Sequence, residues 1–199
     1  MLITFEGMDK SGKTTQIKLL SDYLKEKGHD VVVTREPGGT KVGEIIREIL
    51  LNKNNEISDR TELLLYLASR SQNTKNVIIP ALKKNKIVIC DRYIDSSIVY
   101  QGFGRGINIE TIKLMNNFAT YEIKPDITFV MIIDKESYEK RKGAQDRIES
   151  SGNEFLNRVL NGYEFLKSLE EKRFVFIDAN RRIEDIFNRI KKVVCNYGV

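Results

Sequence analysis

Short runs of β-branched and aromatic residues recur along the chain, separated by longer stretches whose apolar positions fall three and four apart. The short runs predict strands at Leu2 to Glu6, Val31 to Thr34, Ile87 to Cys90, Ile127 to Ile133 and Phe174 to Ile177. Ile87-Val88-Ile89-Cys90 lacks any alternation with polar residues, as expected of a strand covered on both faces. The longer stretches predict helices. Ile17, Leu20 and Leu24 put one apolar stripe on a helix from Thr14 to Lys27, and Gly28 supplies the left-handed cap that ends it. Further helices are predicted over Val42 to Leu51, Arg60 to Ser71, Lys75 to Lys84, Ile109 to Ala119, Phe155 to Lys167 and Ile183 to Tyr197. Strand alternates with helix, so the expected fold is α/β: an open parallel five-stranded sheet with helices on both faces. Residues 135–151, charged and interrupted by Gly143 and the Ser150-Ser151 pair, read as a solvated excursion from this body.

Composition changes the picture little. A chain of 199 residues with 41% apolar and 31% charged residues suits one domain, 1–199, and neither a disordered nor a membrane class. Apolar runs fall far short of the roughly 20 residues needed to span a bilayer, and the chain enters a strand at once without a secretory leader, so a cytoplasmic protein with no membrane partner is expected. Cys90 and Cys195 have no metal-binding spacing. The net charge of +5 is spread along the chain. Phosphate-binding residues plus a solvated surface explain it more simply than a nucleic-acid stripe, so no nucleic-acid partner is expected. The single histidine, His29, sits in a turn and is given no catalytic role.

Gly7-Met8-Asp9-Lys10-Ser11-Gly12-Lys13-Thr14 has the spacing of a Walker A loop between a predicted strand and a predicted helix. Its glycines let several backbone N–H groups face one anion, and the helix that follows adds the positive end of its dipole. Lys13 supplies a point charge for the outer phosphates of a nucleoside triphosphate, and the Thr14 hydroxyl is placed to ligate Mg²⁺. Thr15 continues the same edge. The loop alone does not separate a kinase from a GTPase, but the Asn-Lys-x-Asp guanine motif is missing: Asn52-Lys53 and Asn85-Lys86 lack the aspartate.

Asp91 and Arg92 follow a predicted strand directly, at the carboxyl end where open parallel sheets bind ligands. An acid there can hold Mg²⁺ through water, and an arginine fork can bridge two phosphates. Thr34-Arg35-Glu36-Pro37-Gly38-Gly39-Thr40 forms a turn after the second strand. Tyr66 and Arg70, four apart, share a helix face that could stack on a base and bond its edge, although a core tyrosine beside a surface arginine would give the same spacing.

These segments, with Tyr66-Leu67-Ala68-Ser69-Arg70 and Asp91 through Gly102, resemble in order and spacing the bacterial-type thymidylate kinases, a family of P-loop nucleoside monophosphate kinases. The resemblance runs essentially end to end. It implies transfer of the γ-phosphoryl group of ATP to dTMP with Mg²⁺, in dTTP synthesis, by a homodimer. It implies that Arg92 contacts the acceptor phosphate and that Asp9 orients Arg92. Tyr66 would stack on thymine, Arg70 would bond a thymine carbonyl, and Ser96, Ser97 and Gln101 would complete the base and sugar contacts. Tyr100 would pack under the deoxyribose, with Glu36 and Arg47 lining the same pocket. Residues 135–151 then correspond to the family's LID, a short one here, with Glu149 facing acceptor and metal. Arg181 falls where the family contacts adenine. Family members tend to place a basic residue either in the loop or in the LID, whereas this chain has both. The source of transition-state charge stays open among Lys10, Arg141 and Arg147. Two rivals remain at this point: a kinase for another monophosphate, and a slowly hydrolysing nucleotide-dependent regulator.

Overall fold

The computed structural model describes residues 1–141, 146–169 and 172–198, with the side chains of Lys135 and Glu149 excepted. Five parallel strands, β1 (Leu2–Gly7), β2 (Val31–Arg35), β3 (Ile87–Asp91), β4 (Ile127–Ile132) and β5 (Phe174–Asp178), form one sheet in the order β2-β3-β1-β4-β5. Each lies within two residues of its predicted bounds. The first strand is thus central: the chain runs from β1 to the edge strand β2, returns through β3 between them, and then crosses to β4 and β5 on the other side. That reversal opens a crevice beside the carboxyl end of β1, the usual ligand position in such sheets.

Side-chain alternation divides β1 between two layers. Ile3 and Phe5 face one layer and join Leu20, Leu24, Phe129, Ile190 and Val194 in the larger core, with the Phe5 and Phe129 rings 5.1 Å apart. Leu2 faces the other and packs with Ile78, Val88, Cys90 and Tyr93. This second layer is partly polar. The buried Thr4 and Thr128 hydroxyls pair at 2.8 Å, and Arg173 Nη1 donates to Thr128 Oγ1 while the same guanidinium holds buried Asp95 through both oxygens at 2.6 and 2.8 Å. Hydrogen bonding and ion pairing of this kind offset the cost of burying a carboxylate.

The helices α1 (Lys13–Glu26), α2 (Lys41–Leu51), α6 (Ile109–Ala119), α8 (Asn153–Ser168) and α9 (Ile183–Cys195) match the apolar periodicity that predicts them. Three readings are corrected. The two helices expected at Arg60 to Ser71 and Lys75 to Lys84 are one continuous helical run, α3 (Asp59–Asn73) joined to α4 (Ile79–Lys83) through a π turn at Thr74–Ile78. Pro80 explains the turn, because its ring lacks an N–H and crowds the preceding turn, which widens to accommodate it. A helical turn α5 (Ile94–Ser97) and a π segment, Ile98–Gly104, occupy a stretch with no predicted helix. Two glycines and β-branched residues make that stretch a poor helix former by itself, and packing on α8 holds it. Finally, 135–151 is not merely a solvated excursion. It begins as α7 (Lys135–Arg141) and ends in a 3₁₀ turn, Glu149–Ser151, and it sends Tyr138 and Ile148 into the main core.

The contact of α8 with the π segment is close because Gly162 has no side chain. A Cβ there would lie 3.1 Å from Val99 Cα and 3.2 Å from Phe103 Cβ. Gly162→Leu should destabilise the fold by about 1–3 kcal/mol through overpacking. Urea unfolding checks this, and an unchanged midpoint would show that the two elements separate freely.

Candidate active site

Strand β1 ends in the glycine-rich loop. Gly7 has φ 138°, and a Cβ there would come within 2.5 Å of Met131 O on the neighbouring strand, so only glycine can start the turn. Gly12, φ 90°, ends it and begins α1, whose first N–H groups lack helical partners. Lys13 is buried, and its ammonium donates to Gly7 O and Met8 O, each at 2.9 Å. Burial, together with nearby Arg92, lowers its pKa to about 8, while Asp9, Asp91 and Glu6 pull the other way. Thr14 and Thr15 stand exposed on the cleft.

Parallel pairing sets Phe5 opposite Asp91, and Arg92 N donates to Phe5 O at 2.9 Å. Asp91 and Arg92 therefore stand beside the loop. Arg92, with a left-handed φ of 70°, turns its guanidinium toward Asp9 Oδ1 (2.8 Å) and Ser96 Oγ (3.3 Å), 5.1 Å above the Tyr100 ring. Burial would raise the Asp9 carboxyl, but Arg92 and Lys13 outweigh it and hold the pKa at about 2. Asp91 Oδ1 is buried with no hydrogen-bond partner in the protein, and so is Ser11 Oγ within the loop.

These groups line a cleft of about 900 Å³. Lys10, Lys13, Arg47, Arg92 and Arg141 enter it, as do Asp9, Glu36 and Asp91. Arg141 reaches the loop itself, with Nη1 3.3 Å from Lys10 O and both terminal nitrogens 3.4 Å from Ala179 O. A smaller cavity of about 60 Å³ adjoins the cleft through Asp9 and Arg92. Its walls include the predicted Glu36, Arg47, Tyr66, Ser96, Ser97, Tyr100 and Gln101.

Three predicted residues stand elsewhere. Arg70 is 1% exposed and does not line the cavity. Its guanidinium donates to Glu36 Oε2 (2.7 Å), Ser97 Oγ (2.8 Å), Asn116 Oδ1 (2.6 Å) and Tyr93 O (2.7 Å), which occupies four of its five N–H groups. Arg147 does not line the phosphate cleft and turns instead to Glu62 and Leu50 O. Arg181 is largely exposed and bonds Asp178 beyond β5. Lys142, Gly143 and the Glu149 side chain lie outside the described residues.

Two buried carboxylates escaped the sequence reading. Glu6 accepts from Tyr93 N (2.8 Å) and Ser96 Oγ (2.5 Å), and so positions the segment that carries Arg92. An acid ending the otherwise uncharged predicted strand Leu2 to Glu6 was the available signal. Glu62, one turn before Tyr66 on α3, gathers Gln101, Arg105 and Arg147. Its spacing from Tyr66 could have placed it on that face, but its partners come from distant segments.

Burial, aided by Asp95 and opposed by Arg92, Ser96 and Tyr93, raises the Glu6 pKa to about 7, against roughly 4.3 in an unfolded chain. A folded-state pKa above the unfolded one makes the associated stability complete below the unfolded value and lost as pH rises through the folded value. Wild-type stability should therefore fall relative to Glu6→Gln as pH rises from about 4.5 to 7. Parallel urea titrations test this, and identical slopes for both proteins would contradict it.

Comparison with known proteins follows the same lines as the geometry. The family model described as thymidylate kinase matches residues 5–190. The thymidylate kinase of Thermosipho africanus is 50% identical over 196 residues, covering 98% of this chain and 97% of that protein. That of a Thermoanaerobacter species is 48% identical over 197 residues, with coverage of 98% and 97%. The crystal structure of thymidylate kinase from Ehrlichia chaffeensis superposes with a TM-score of 0.80 at 37% identity, covering 98% of each chain.

Proposed function

This chain belongs to the thymidylate kinase family, and from that premise we propose that it transfers the γ-phosphoryl group of ATP to dTMP, giving ADP and dTDP, as a cytoplasmic enzyme of dTTP synthesis. The observation that carries the reading is the junction of two spaces. A basic phosphate cleft built on the glycine-rich loop meets an aromatic-walled cavity, and the Asp9–Arg92 pair stands at the boundary.

ATP would lie along Gly7 to Thr15, with its phosphates on the backbone N–H groups of the loop and Lys13 released from the loop carbonyls to meet them. The acceptor base would enter between Tyr66 and Gln101, and its sugar would lie on Tyr100. Arg47 and Arg92 would hold its phosphate. Arg70 supports this site from behind, because its buried guanidinium fixes Glu36 and Ser97 in the cavity wall. Only its one remaining N–H is available to a thymine carbonyl.

Mg²⁺ suits the residues present. Asp91 offers a buried carboxylate oxygen that no protein group bonds, and it lines the same cleft as the exposed Thr14. Among the described residues no three of His, Cys, Asp or Glu gather as a cage, which fits an ion held largely by phosphates and water. Thr14, and Asp91 through water, would hold it, and it would supply neutralisation of phosphate charge.

The nucleophile is a phosphate oxygen already mostly ionised at neutral pH, since the second pKa of a phosphate monoester lies near 6. No general base is required. Catalysis then rests on in-line positioning and on Lys13, Arg92, Lys10 and Arg141, whose charges meet where negative charge spreads in the transition state. Asp9 keeps the Arg92 fork aimed at the boundary. The chain acts as one kinase unit, with residues 135–151 as its LID. Among the described residues no helix is long and apolar enough to cross a membrane.

The homodimer is proposed on an exposed apolar face. Phe118 is 87% exposed and Leu114 71% on α6, and Leu64 and Ile45 are also exposed on α3 and α2. Because α3 packs against both α2 and α6, these exposed apolar side chains sit on neighbouring helices, and apolar exposure of this kind marks an interaction site. Phe118→Glu should yield a monomer in sedimentation velocity runs, and an unchanged oligomer would move the interface elsewhere.

Assays of ATP with dTMP, AMP, UMP and GMP test the reaction, and preference for any monophosphate other than dTMP would replace the reading. In the same assay Arg92→Ala should lose about 1,000-fold in turnover while ATP affinity changes little. Near-normal turnover would remove Arg92 from the transferring phosphate.

A further inference from the structure

Residues 146–151 form a strap across the acceptor cavity, with Asp146 and Ile148 contributing to its wall. The strap is fastened at both ends. Arg147 donates Nε to Leu50 O at 2.7 Å and Nη2 to Glu62 Oε2 at 2.8 Å, and its backbone N reaches Leu51 O at 3.2 Å. At the other end Ser151 Oγ accepts from Arg105 Nη2 at 3.0 Å. Arg105 lies 4.3 Å over the Phe155 ring and donates twice more to Glu62, to Oε1 at 3.2 Å and to Oε2 at 3.1 Å. Glu62 itself is fully buried, and its Oε1 also accepts from Gln101 Nε2 at 3.0 Å. One carboxylate therefore joins both ends of the strap to a side chain of the cavity wall.

The two spaces differ in a telling way. The phosphate cleft is about 900 Å³, but the acceptor cavity is only about 60 Å³, well below the roughly 300–1,000 Å³ typical of small-molecule sites. A monophosphate enters only if the strap yields, and the bonds of Arg147 decide how readily it returns over the bound acceptor.

We propose that Arg147 is a positioning residue which, through buried Glu62, clamps the 146–151 strap over the monophosphate, and that it is not a source of charge for the transferred phosphoryl group. The proposal rests on dTMP being the acceptor. It divides the three basic candidates: Lys10 and Arg141 line the phosphate cleft, whereas the Arg147 guanidinium is committed to a carboxylate and a helix-end carbonyl outside it. It also ties the strap to base recognition, because the carboxylate that receives Arg147 also holds Gln101. Refastening through Arg147 and Glu62 holds the strap's contacts on the bound acceptor, so loosening it weakens acceptor binding and leaves the chemical step nearly unchanged.

The test uses the full chain with ATP, Mg²⁺ and dTMP. Steady-state kinetics and calorimetric dTMP binding without ATP are compared for wild type, Arg147→Ala, Arg147→Lys and Glu62→Gln. The clamp predicts that all three variants raise KM and Kd for dTMP about tenfold, with kcat and the KM for ATP within about twofold of wild type. Arg147→Lys should resemble Arg147→Ala, because a single ammonium does not reproduce a fork that spans two acceptors. A fall in kcat of about 100-fold or more at unchanged dTMP affinity, partly restored by lysine, would overturn the proposal in favour of a charge on the phosphoryl group. Wild-type values throughout would overturn it as well. If Glu62→Gln fails to fold, the Arg147 pair, at a partly exposed position, decides the matter alone. A wild-type enzyme that prefers another monophosphate overturns the dTMP reading, and the same variants then test the clamp with that monophosphate.

Discussion

Pairing of β1 with β3 brings Phe5 opposite Asp91, and Arg92 N bonds the Phe5 carbonyl as the two strands end together. From this register follows the rest of the site. The glycine-rich loop leaves β1 at the level where Asp91 and Arg92 leave β3, so Asp9 of the loop meets Arg92 at 2.8 Å across the strand ends. A slip of one residue would turn Asp91 to the other side of the sheet and separate the pair. The close approach to β4 at Met131 makes the same demand on Gly7. Central position and full burial of β1 therefore fix the chemistry as firmly as they fix the core.

Cations dominate the cleft, and the fold stabilises them before any phosphate arrives. Lys13 folds onto its own loop carbonyls, Arg92 takes Asp9, and Arg141 reaches the carbonyls of Lys10 and Ala179. Behind them Glu6 holds the Tyr93 amide and the Ser96 hydroxyl, and Ser96 in turn touches Arg92. Each cation is thus aimed by an acceptor on the protein, backbone carbonyls for Lys13 and Arg141 and the Asp9 carboxylate for Arg92. A preorganised arrangement of this kind stabilises developing charge without reorganising the site.

Around the acceptor cavity the logic is different, because buried arginines and carboxylates act as fasteners. Arg70 with Glu36, and Arg105 and Arg147 with Glu62, take up polar groups that would otherwise be unsatisfied in the interior. Removing one partner of such a pair leaves the other stranded, which costs far more than the pair contributes. With the bonds of Arg147 to Leu50 O and of Gln101 to Glu62, these pairs join α2, α3, the π segment after α5 and the strap into one frame about the base. The cavity wall is consequently specified in part by residues that do not line it: Arg70, Arg105, Arg147 and Glu62.

The order of strands and helices, the phosphate loop, and the placing of Asp91 and Arg92 at a strand end were all legible in the sequence, because each depends on local spacing: period two, period three to four, and the glycines of a turn. The resemblance of Thr34 to Thr40, Tyr66 to Arg70 and Asp91 to Gly102 to one family also survives comparison over nearly the whole chain. What local spacing did not contain was the destination of long side chains. Tyr66 and Arg70 share a helix face, yet Tyr66 lines the cavity and Arg70 is consumed by four acceptors from distant segments. Arg141 and Arg147 look alike in a basic stretch, yet one enters the phosphate cleft and the other is tied to Glu62. The π turns at Thr74–Ile78 and Ile98–Gly104 were equally hidden, since Pro80 and close packing on α8 shape them rather than propensity. Periodicity assigns a residue to a face, but only the tertiary fold supplies the buried partner that decides where a flexible charged side chain comes to rest.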